Sequence, residues 1–136
     1  MKALTIWQPY ADHILDGTKT VENRAWPTSY RGPLIIHAGK RSERGHEHRS
    51  RGALGLVNVI GCHLPGGVDC SCREDQGAEF SHIGEVIHHW MLADPFRFIE
   101  PIPMSGRQQL FSIDVPADAI IGIIASDWKG WARANN

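Results

Sequence analysis

Short blocks of apolar residues separated by turn residues run along this chain, and most of them have the length of a β-strand. Residues 34–38 form a continuous apolar run with β-branched members, which indicates a strand buried on both faces. Residues 105–107, Ser-Gly-Arg, are typical of a hairpin turn between the two blocks that flank them. The predicted strands are residues 3–7, 19–26, 34–38, 53–64, 96–104 and 109–115.

Two segments have helical patterns instead. Residues 9–16 carry a proline in the first turn and are followed by Gly17 as a stop signal. From residue 83, apolar side chains recur at helical spacing and predict a second helix that ends before Asp94 and Pro95. Polar residues 40–51 predict a short helix or a loop, and residues 65–81 a long loop. Residues 117–131 fit a helix and a strand equally well.

These elements predict a mostly β or α+β fold, a barrel of five or six strands with short flanking helices, because closing a sheet hides its edges. A length of 136 residues is that of one domain, so we expect a single domain over 1–136. No apolar run reaches the roughly 20 residues of a membrane helix, and no signal peptide is recognisable. We therefore expect a cytoplasmic protein without membrane contact, whose three cysteines are free thiols.

Charge is divided unevenly along the sequence. Residues 24–51 hold seven Lys and Arg against two Glu, a local +5, whereas the remainder sums to −6. A basic block of this kind can neutralise phosphates and steer anionic ligands, although solvated basic loops without a ligand are equally common.

Residues 17–24 are the most informative segment. Side chains on a strand repeat their direction every two residues, so Glu22 and Arg24 are predicted to point the same way and to pair, with Lys19 close by. This pair either holds the guanidinium of Arg24 toward a ligand or only stabilises the strand.

The pattern G-x-K-x-x-E-x-R, formed by Gly17, Lys19, Glu22 and Arg24, resembles the signature of the ASCH domain family. Residues 6–11, 30–38 and 101–111 resemble further blocks of the small bacterial and phage members. The resemblance implies a PUA-like β-barrel with a cleft beside the signature. It also implies a role in RNA or DNA binding, in ribonuclease activity, or in hydrolysis of acetylated cytidine.

Aromatic and basic side chains around the signature suit bases and phosphates respectively. We therefore predict that the protein binds RNA, single-stranded nucleic acid or a modified nucleoside, without a cofactor and with a monomer favoured. The amide of Gln8 either contacts a base edge or caps the first helix. The predicted binding residues are Trp7, Gln8, Lys19, Glu22, Arg24, Trp26, Tyr30, Arg31, Lys40, Arg41 and Arg107.

Catalysis is the alternative, as a metal-independent ribonuclease or an acetylcytidine amidohydrolase that uses Lys19 and Glu22. In the amidohydrolase branch the resemblance implies a lysine, a threonine and a glutamate. Lys19 matches the lysine, but Glu22 occupies the position of the threonine, and a carboxylate does not replace a hydroxyl. His37 is a second acid-base candidate, with a purely structural histidine as the other interpretation.

The stretch around Cys62, His63, Cys70, Cys72 and His82 is rich in zinc-binding residue types. Its C-x-C spacing differs from the usual spacing of structural sites, so we predict no metal. A third hypothesis, from another class, is an adaptor that binds proteins through the apolar tail around Trp128 and Trp131.

Overall fold

The computed structural model describes residues 1–66, 70, 72, 77–107 and 109–112. Residues 117–131, and with them the adaptor hypothesis, lie outside this part of the chain. No helix among the described residues is long and apolar enough to cross a membrane. The elements are β1 (Lys2–Gln8), α1 (Tyr10–Leu15), β2 (Val21–Arg24), β3 (Gly32–Ser42), β4 (Gly52–His63), β5 (His88–Ile102) and β6 (Leu110–Ser112).

The six strands form one mixed sheet in the order β2-β5-β4-β3-β1-β6. The β1 and β3 strands pair in parallel, and the other neighbours pair antiparallel. With six strands and one short helix, the predicted mostly β class is confirmed, and the sheet is consistent with a barrel-like PUA-like fold.

Both faces of β3 are buried over residues 34–38, as the apolar run there predicts. Leu4 and Ile36 lie on one face, in a core cluster that also contains Ile14 of α1. Ala3 and Ile35, each one residue away, lie in a separate cluster. This period of two is that of a strand, and it places α1 over one face of the sheet.

The predicted helix from residue 83 is wrong. A strand, β5, begins at His88, and residues 79–87 form a loop in which Phe80 and Val86 make an isolated bridge. The helical spacing depended on Ile83 and Val86, which are 68% and 46% exposed. Since neither side chain joins the core, no buried apolar stripe stabilises a helix here.

The predicted hairpin between residues 96–104 and 109–115 is also wrong. The β6 strand pairs with β1, where Ala3 lies opposite Phe111, whereas β5 pairs with β4 and β2. Residues 103–107 therefore lead from β5 to the opposite edge of the sheet. Residues 40–51 are the end of β3 followed by a loop with turns, one of the two predicted forms.

Candidate nucleic-acid interface

A cleft of about 820 Å³ lies where the end of β3 and the start of β4 meet β1, residues 104–107 and residue 109. This volume is typical of pockets that hold small molecules or single nucleotides. The lining residues are Thr5, Trp7, Arg24, His37, Ala38, Gly39, Lys40, Arg41, Arg51, Gly52, Met104, Ser105, Gly106, Arg107 and Gln109.

The cleft is strongly basic. Five of its lining residues carry a positive charge, and none of the residues described as lining it is acidic. Lys40, Arg41 and Arg107 are exposed, so their charges face solvent. Arg51 donates to the carbonyl oxygens of Gly39 and Arg41, at 2.8 and 3.2 Å, which fixes its guanidinium against the wall. The arrangement attracts anions.

Arg24 is held from two sides. Its Nη2 donates to the carbonyl oxygen of Thr5 at 2.9 Å and lies 3.7 Å from Oε2 of Glu22, so the predicted ion pair forms. Nε of Arg24 and Oε2 of Glu22 are buried without a hydrogen-bond partner among the described residues. A buried donor left without a partner costs about 1–3 kcal/mol, so this arrangement is kept at some expense of stability.

His37 forms the floor of the cleft and is only 1% exposed. Its Nε2 donates to the carbonyl oxygen of Met104 at 2.9 Å, and its Nδ1 lies 3.1 Å from Oγ1 of Thr5. Both ring nitrogens therefore have protein partners, which supports the structural interpretation of this histidine.

Gly106 lets the segment 103–107 lie directly on this floor. A Cβ atom at this position would be 2.5 Å from Oγ1 of Thr5 and 2.6 Å from Cε1 of His37. Such distances are shorter than real Cβ contacts allow, so only glycine fits without a shift of the segment or of these two side chains. The cleft thus depends on a glycine that is close in space, although not in sequence, to β1.

Trp7 offers an open aromatic face beside these charges. Its side chain is 46% exposed, and the guanidinium carbon of Arg41 lies 5.8 Å from its ring centre. A half-exposed indole next to cations can stack on a base while the cations bind phosphate.

The structure brings together only part of the predicted binding set. Trp7, Arg24, Lys40, Arg41 and Arg107 line the cleft, whereas the other predicted binding residues do not. Gln8 is completely buried: its Oε1 accepts from the backbone N–H of Asp12 in α1, and its Nε2 donates to the carbonyl oxygen of Ser50. This is the helix-capping interpretation of Gln8.

Three further predicted residues stabilise the chain around residues 24–33. The ring of Trp26 packs edge-on against the ring of Trp90, with 4.6 Å between the ring centres. The backbone carbonyl of Trp26 accepts a hydrogen bond from the indole N–H of Trp90. Tyr30 donates its hydroxyl hydrogen to the carbonyl oxygen of Pro33. Arg31 is exposed and donates to the carbonyl oxygens of Thr28 and Tyr30.

Lys19 does not share the environment of Arg24. Its ammonium group donates to the carbonyl oxygen of Val21 and lies 5.9 Å from the ring centre of Tyr10 in α1. Glu22 is 8% exposed and accepts from the backbone N–H of Asn23, in addition to its pairing with Arg24. Neither residue lines the cleft.

The basic loop after β3 is partly neutralised from within. Asp12 binds Arg49 at 2.9 Å and Arg97 at 3.1 Å, which joins α1 to the loop and to β5. Burial acts to raise the pKa of Asp12, but hydrogen bonds from the two arginines and Gln8 outweigh it and hold the pKa below its usual value. Arg49 is therefore engaged within the protein.

Sequence reasoning missed Thr5, Ser105 and Gln109 as cleft residues. Thr5 and Gln109 lie on or beside strands that pair only in the folded protein, and no local motif marks them. Gly106 carries a usable signal, a glycine next to basic Arg107, but the local pattern predicts a hairpin turn there.

A second group of side chains can hold a metal ion. His63, Cys70, Cys72 and His89 place one ligand atom each within 4.8 Å of all the others. Cys62 and His82, which the sequence also suggested, are not in this group. Backbone hydrogen bonds from Cys72 and Gly66 lower the pKa of Cys70 to about 6, whereas burial and the nearby Cys70 sulfur raise that of Cys72 to about 11.

The comparison with protein families decides which family this fold represents. The family model described as "ASCH domain" matches residues 4–102, which is more than half of the chain and contains the G-x-K-x-x-E-x-R pattern. The chain belongs to the ASCH domain family. The resemblance predicted from the signature is thereby confirmed, and ASCH domains are generally associated with RNA binding.

Solved structures agree on the ASCH fold. The crystal structure of ASCH from Zymomonas mobilis matches with a TM-score of 0.62 at 17% identity, covering 90% of this chain and 94% of that one. A tyrosine-to-phenylalanine variant of the Zymomonas mobilis protein matches with a TM-score of 0.58 at 18% identity, covering 82% and 88%. At this identity the likeness supports the fold alone. Curated protein sequences give no match.

Proposed function

We propose that this ASCH domain binds RNA or another single-stranded nucleic acid, or a modified nucleoside, in the basic cleft. The observation that carries the proposal is the combination of five cationic side chains, a half-exposed tryptophan and no acidic residue among the described lining residues. Cations bind the backbone of a nucleic acid, and an aromatic face binds a base of any sequence.

The size of the cleft favours a single strand over a duplex. About 820 Å³ accommodates one or two unstacked nucleotides, whereas a duplex presents its bases only through grooves. Arg24, whose planar guanidinium is fixed by Glu22 and Thr5, is the proposed contact to a phosphate or to a base edge. Trp7 is the proposed stacking platform.

The test is fluorescence anisotropy with labelled RNA and DNA oligonucleotides of about 8 nucleotides and a matched duplex, at low salt. We expect single strands to bind, and Arg24→Ala to weaken that binding at least about tenfold, because a fixed arginine contact contributes about 1–3 kcal/mol. Absence of binding to every single strand, or equal binding by Arg24→Ala, would overturn the proposal.

Arg31→Ala is the matched comparison, because it removes the same charge from an exposed residue outside the cleft. The geometry predicts that this variant binds within about twofold of wild type, since a charge outside the cleft adds only a screened, long-range attraction. Competition with acetylcytidine and cytidine distinguishes a free nucleoside from an oligonucleotide as the ligand.

The catalytic alternative stays a prediction. Lys19 and Glu22, its proposed residues, lie outside the cleft lining, and Glu22 is paired with Arg24. Lys19 donates to the carbonyl oxygen of Val21. Binding in the cleft is therefore the function that the geometry supports best.

A further inference from the structure

Four side chains at the far end of β4 from the cleft converge on one point. His63 ends β4, His89 lies at the start of β5, and Cys70 and Cys72 lie between the two strands in the sequence. The measured separations are 3.3 Å between Nε2 of His63 and Nδ1 of His89, 3.2 Å from Nε2 of His63 to Sγ of Cys72, and 3.6 Å from Nδ1 of His89 to Sγ of Cys70.

These separations are close to the edges of a zinc tetrahedron. Zn–N bonds of about 2.05 Å and Zn–S bonds of about 2.3 Å place two nitrogens about 3.3 Å apart and a nitrogen and a sulfur about 3.6 Å apart. All four ligand atoms lie within 4.8 Å of one another, so a single ion can reach each of them with small adjustments.

The register of the sheet explains which residues take part. His63 lies directly opposite His89 in the antiparallel pair of β4 and β5, so both rings extend from the same face. Cys62, one residue earlier, lies opposite Trp90 and packs with it in the core on the other face. Cys62 is therefore excluded from the group by the alternation of the strand.

His89 is held in the orientation that a metal ligand requires. Its Nε2 lies 2.7 Å from the carbonyl oxygen of Ala78 and must donate to it, because a carbonyl oxygen only accepts. The hydrogen is thus on Nε2, and the lone pair of Nδ1 points toward Cys70 and His63. A histidine that binds a metal through one ring nitrogen usually donates the N–H of its other ring nitrogen to a partner such as a backbone carbonyl.

The backbone beside the cysteines also packs closely against this group. At Gly77 a Cβ atom would lie 2.8 Å from both Cβ of Cys72 and Cε1 of His89, so only glycine lets this segment pack against the group. Ala78 is fixed in turn by its N–H, which donates to Oδ1 of Asn23.

We infer that His63, Cys70, Cys72 and His89 form a structural zinc site of the Cys₂His₂ type. Two thiolates neutralise the dication, and their two protons are released to solvent as the two Zn–S bonds form. Four protein ligands close the coordination sphere, which is typical of a structural rather than a catalytic ion. The ion would join the end of β4, the start of β5 and the segment between them.

The test uses the full chain, stripped of metal under reducing conditions and titrated with Co²⁺ and then Zn²⁺. We expect one Co²⁺ per chain, with the strong visible bands of a tetrahedral ion and a sulfur-to-metal charge-transfer band, both lost when Zn²⁺ displaces it. Zinc should raise the melting temperature by about 5 °C or more, because an ion that binds only the folded protein stabilises it. Octahedral Co²⁺ spectra, or no binding, would overturn the inference.

Variants separate this site from nonspecific thiol binding. Cys70→Ser and Cys72→Ser should each abolish the charge-transfer band or weaken Co²⁺ binding at least about a hundredfold. Cys62→Ser and His82→Ala should leave the spectrum and stoichiometry unchanged, because neither side chain is in the group. A spectrum that survives Cys70→Ser but disappears in Cys62→Ser would contradict the assignment, as would a Cys70–Cys72 disulfide that forms in place of metal binding.

Discussion

The cleft and the Cys/His group lie at opposite ends of β4, and they differ in the charge that their side chains can bind. In the cleft, three of the five basic side chains are exposed, and no described lining residue is acidic. In the Cys/His group, the four ligand atoms lie within 4.8 Å of one another, and His89 donates to the carbonyl oxygen of Ala78. We propose the first region as an open site for an anion and the second as a closed site for a cation.

This difference indicates that the two regions respond independently to substitution. Effects on nucleic-acid binding should come from charge and stacking at the cleft, and they should be screened by salt. Effects at the Cys/His group should appear in metal binding and stability and depend little on salt. Variants that change one region, measured for both nucleic-acid binding and metal binding, therefore test the two assignments together.

The largest effect is expected from Gly106→Ala. The added Cβ would meet the side chains of Thr5 and His37 at 2.5–2.7 Å, so either the segment 103–107 or the two side chains on the floor of the cleft must shift. We expect a loss of about 1–3 kcal/mol in the free energy of unfolding and at least about a tenfold loss of oligonucleotide affinity. Urea unfolding and anisotropy measure the two. A Co²⁺ spectrum changed by this variant would show that the regions are coupled after all.

Asp12→Asn is expected to lower the free energy of unfolding by about 1–3 kcal/mol at pH 7, because the variant loses the charge that binds Arg49 and Arg97. The pKa of Asp12 is lowered in the folded protein, so its contribution is complete above the unfolded pKa of about 4 and is lost as the pH falls through the folded pKa. Denaturant unfolding at several pH values should show wild type and variant converging below about pH 4. A constant difference down to pH 3 would contradict this origin.

Trp7→Ala is expected to weaken single-strand binding by about tenfold, since stacking contributes about 1–3 kcal/mol per base. Trp7→Phe should recover most of the affinity. As a control, Phe80→Ala removes another exposed aromatic side chain, 61% accessible, outside the cleft lining, and should change nothing. Equal affinities of Trp7→Ala and wild type would contradict a stacking contact at Trp7.

Lys40→Ala is expected to have the smallest effect, a loss of about threefold at low salt together with a salt slope smaller by about 0.7, because one phosphate contact is lost. Lys2→Ala removes the same charge from the start of β1, where Lys2 donates to Ser112 outside the cleft lining, and should leave the slope unchanged. Identical slopes for the two variants would mean that net charge, rather than the cleft, attracts the ligand.

Local patterns predicted most strands and the pair of Glu22 and Arg24, because both depend on neighbours within a few residues. They failed where pairing is long-range. A helix over residues 83–91 would not place His89 opposite His63, as the β4–β5 pairing does. Without that pairing, the C-x-C spacing is the only local criterion for a metal site in the Cys/His stretch. A hairpin over residues 96–115 would not bring Gly106 close to Thr5 and His37, whereas the pairing of β6 with β1 does. In both cases, the partner strand is fixed by the whole sheet and not by the segment itself.

The salt dependence of RNA binding tests the central claim most directly. With five cationic side chains at the cleft, the slope of log K against log salt for a short single-stranded RNA should lie between about −2 and −3.5, at about 0.7 per contacted phosphate. Lys40→Ala should reduce its magnitude, and Cys70→Ser should not. A slope near zero, or one that Lys40→Ala leaves unchanged, would contradict the assignment of the cleft as a nucleic-acid site.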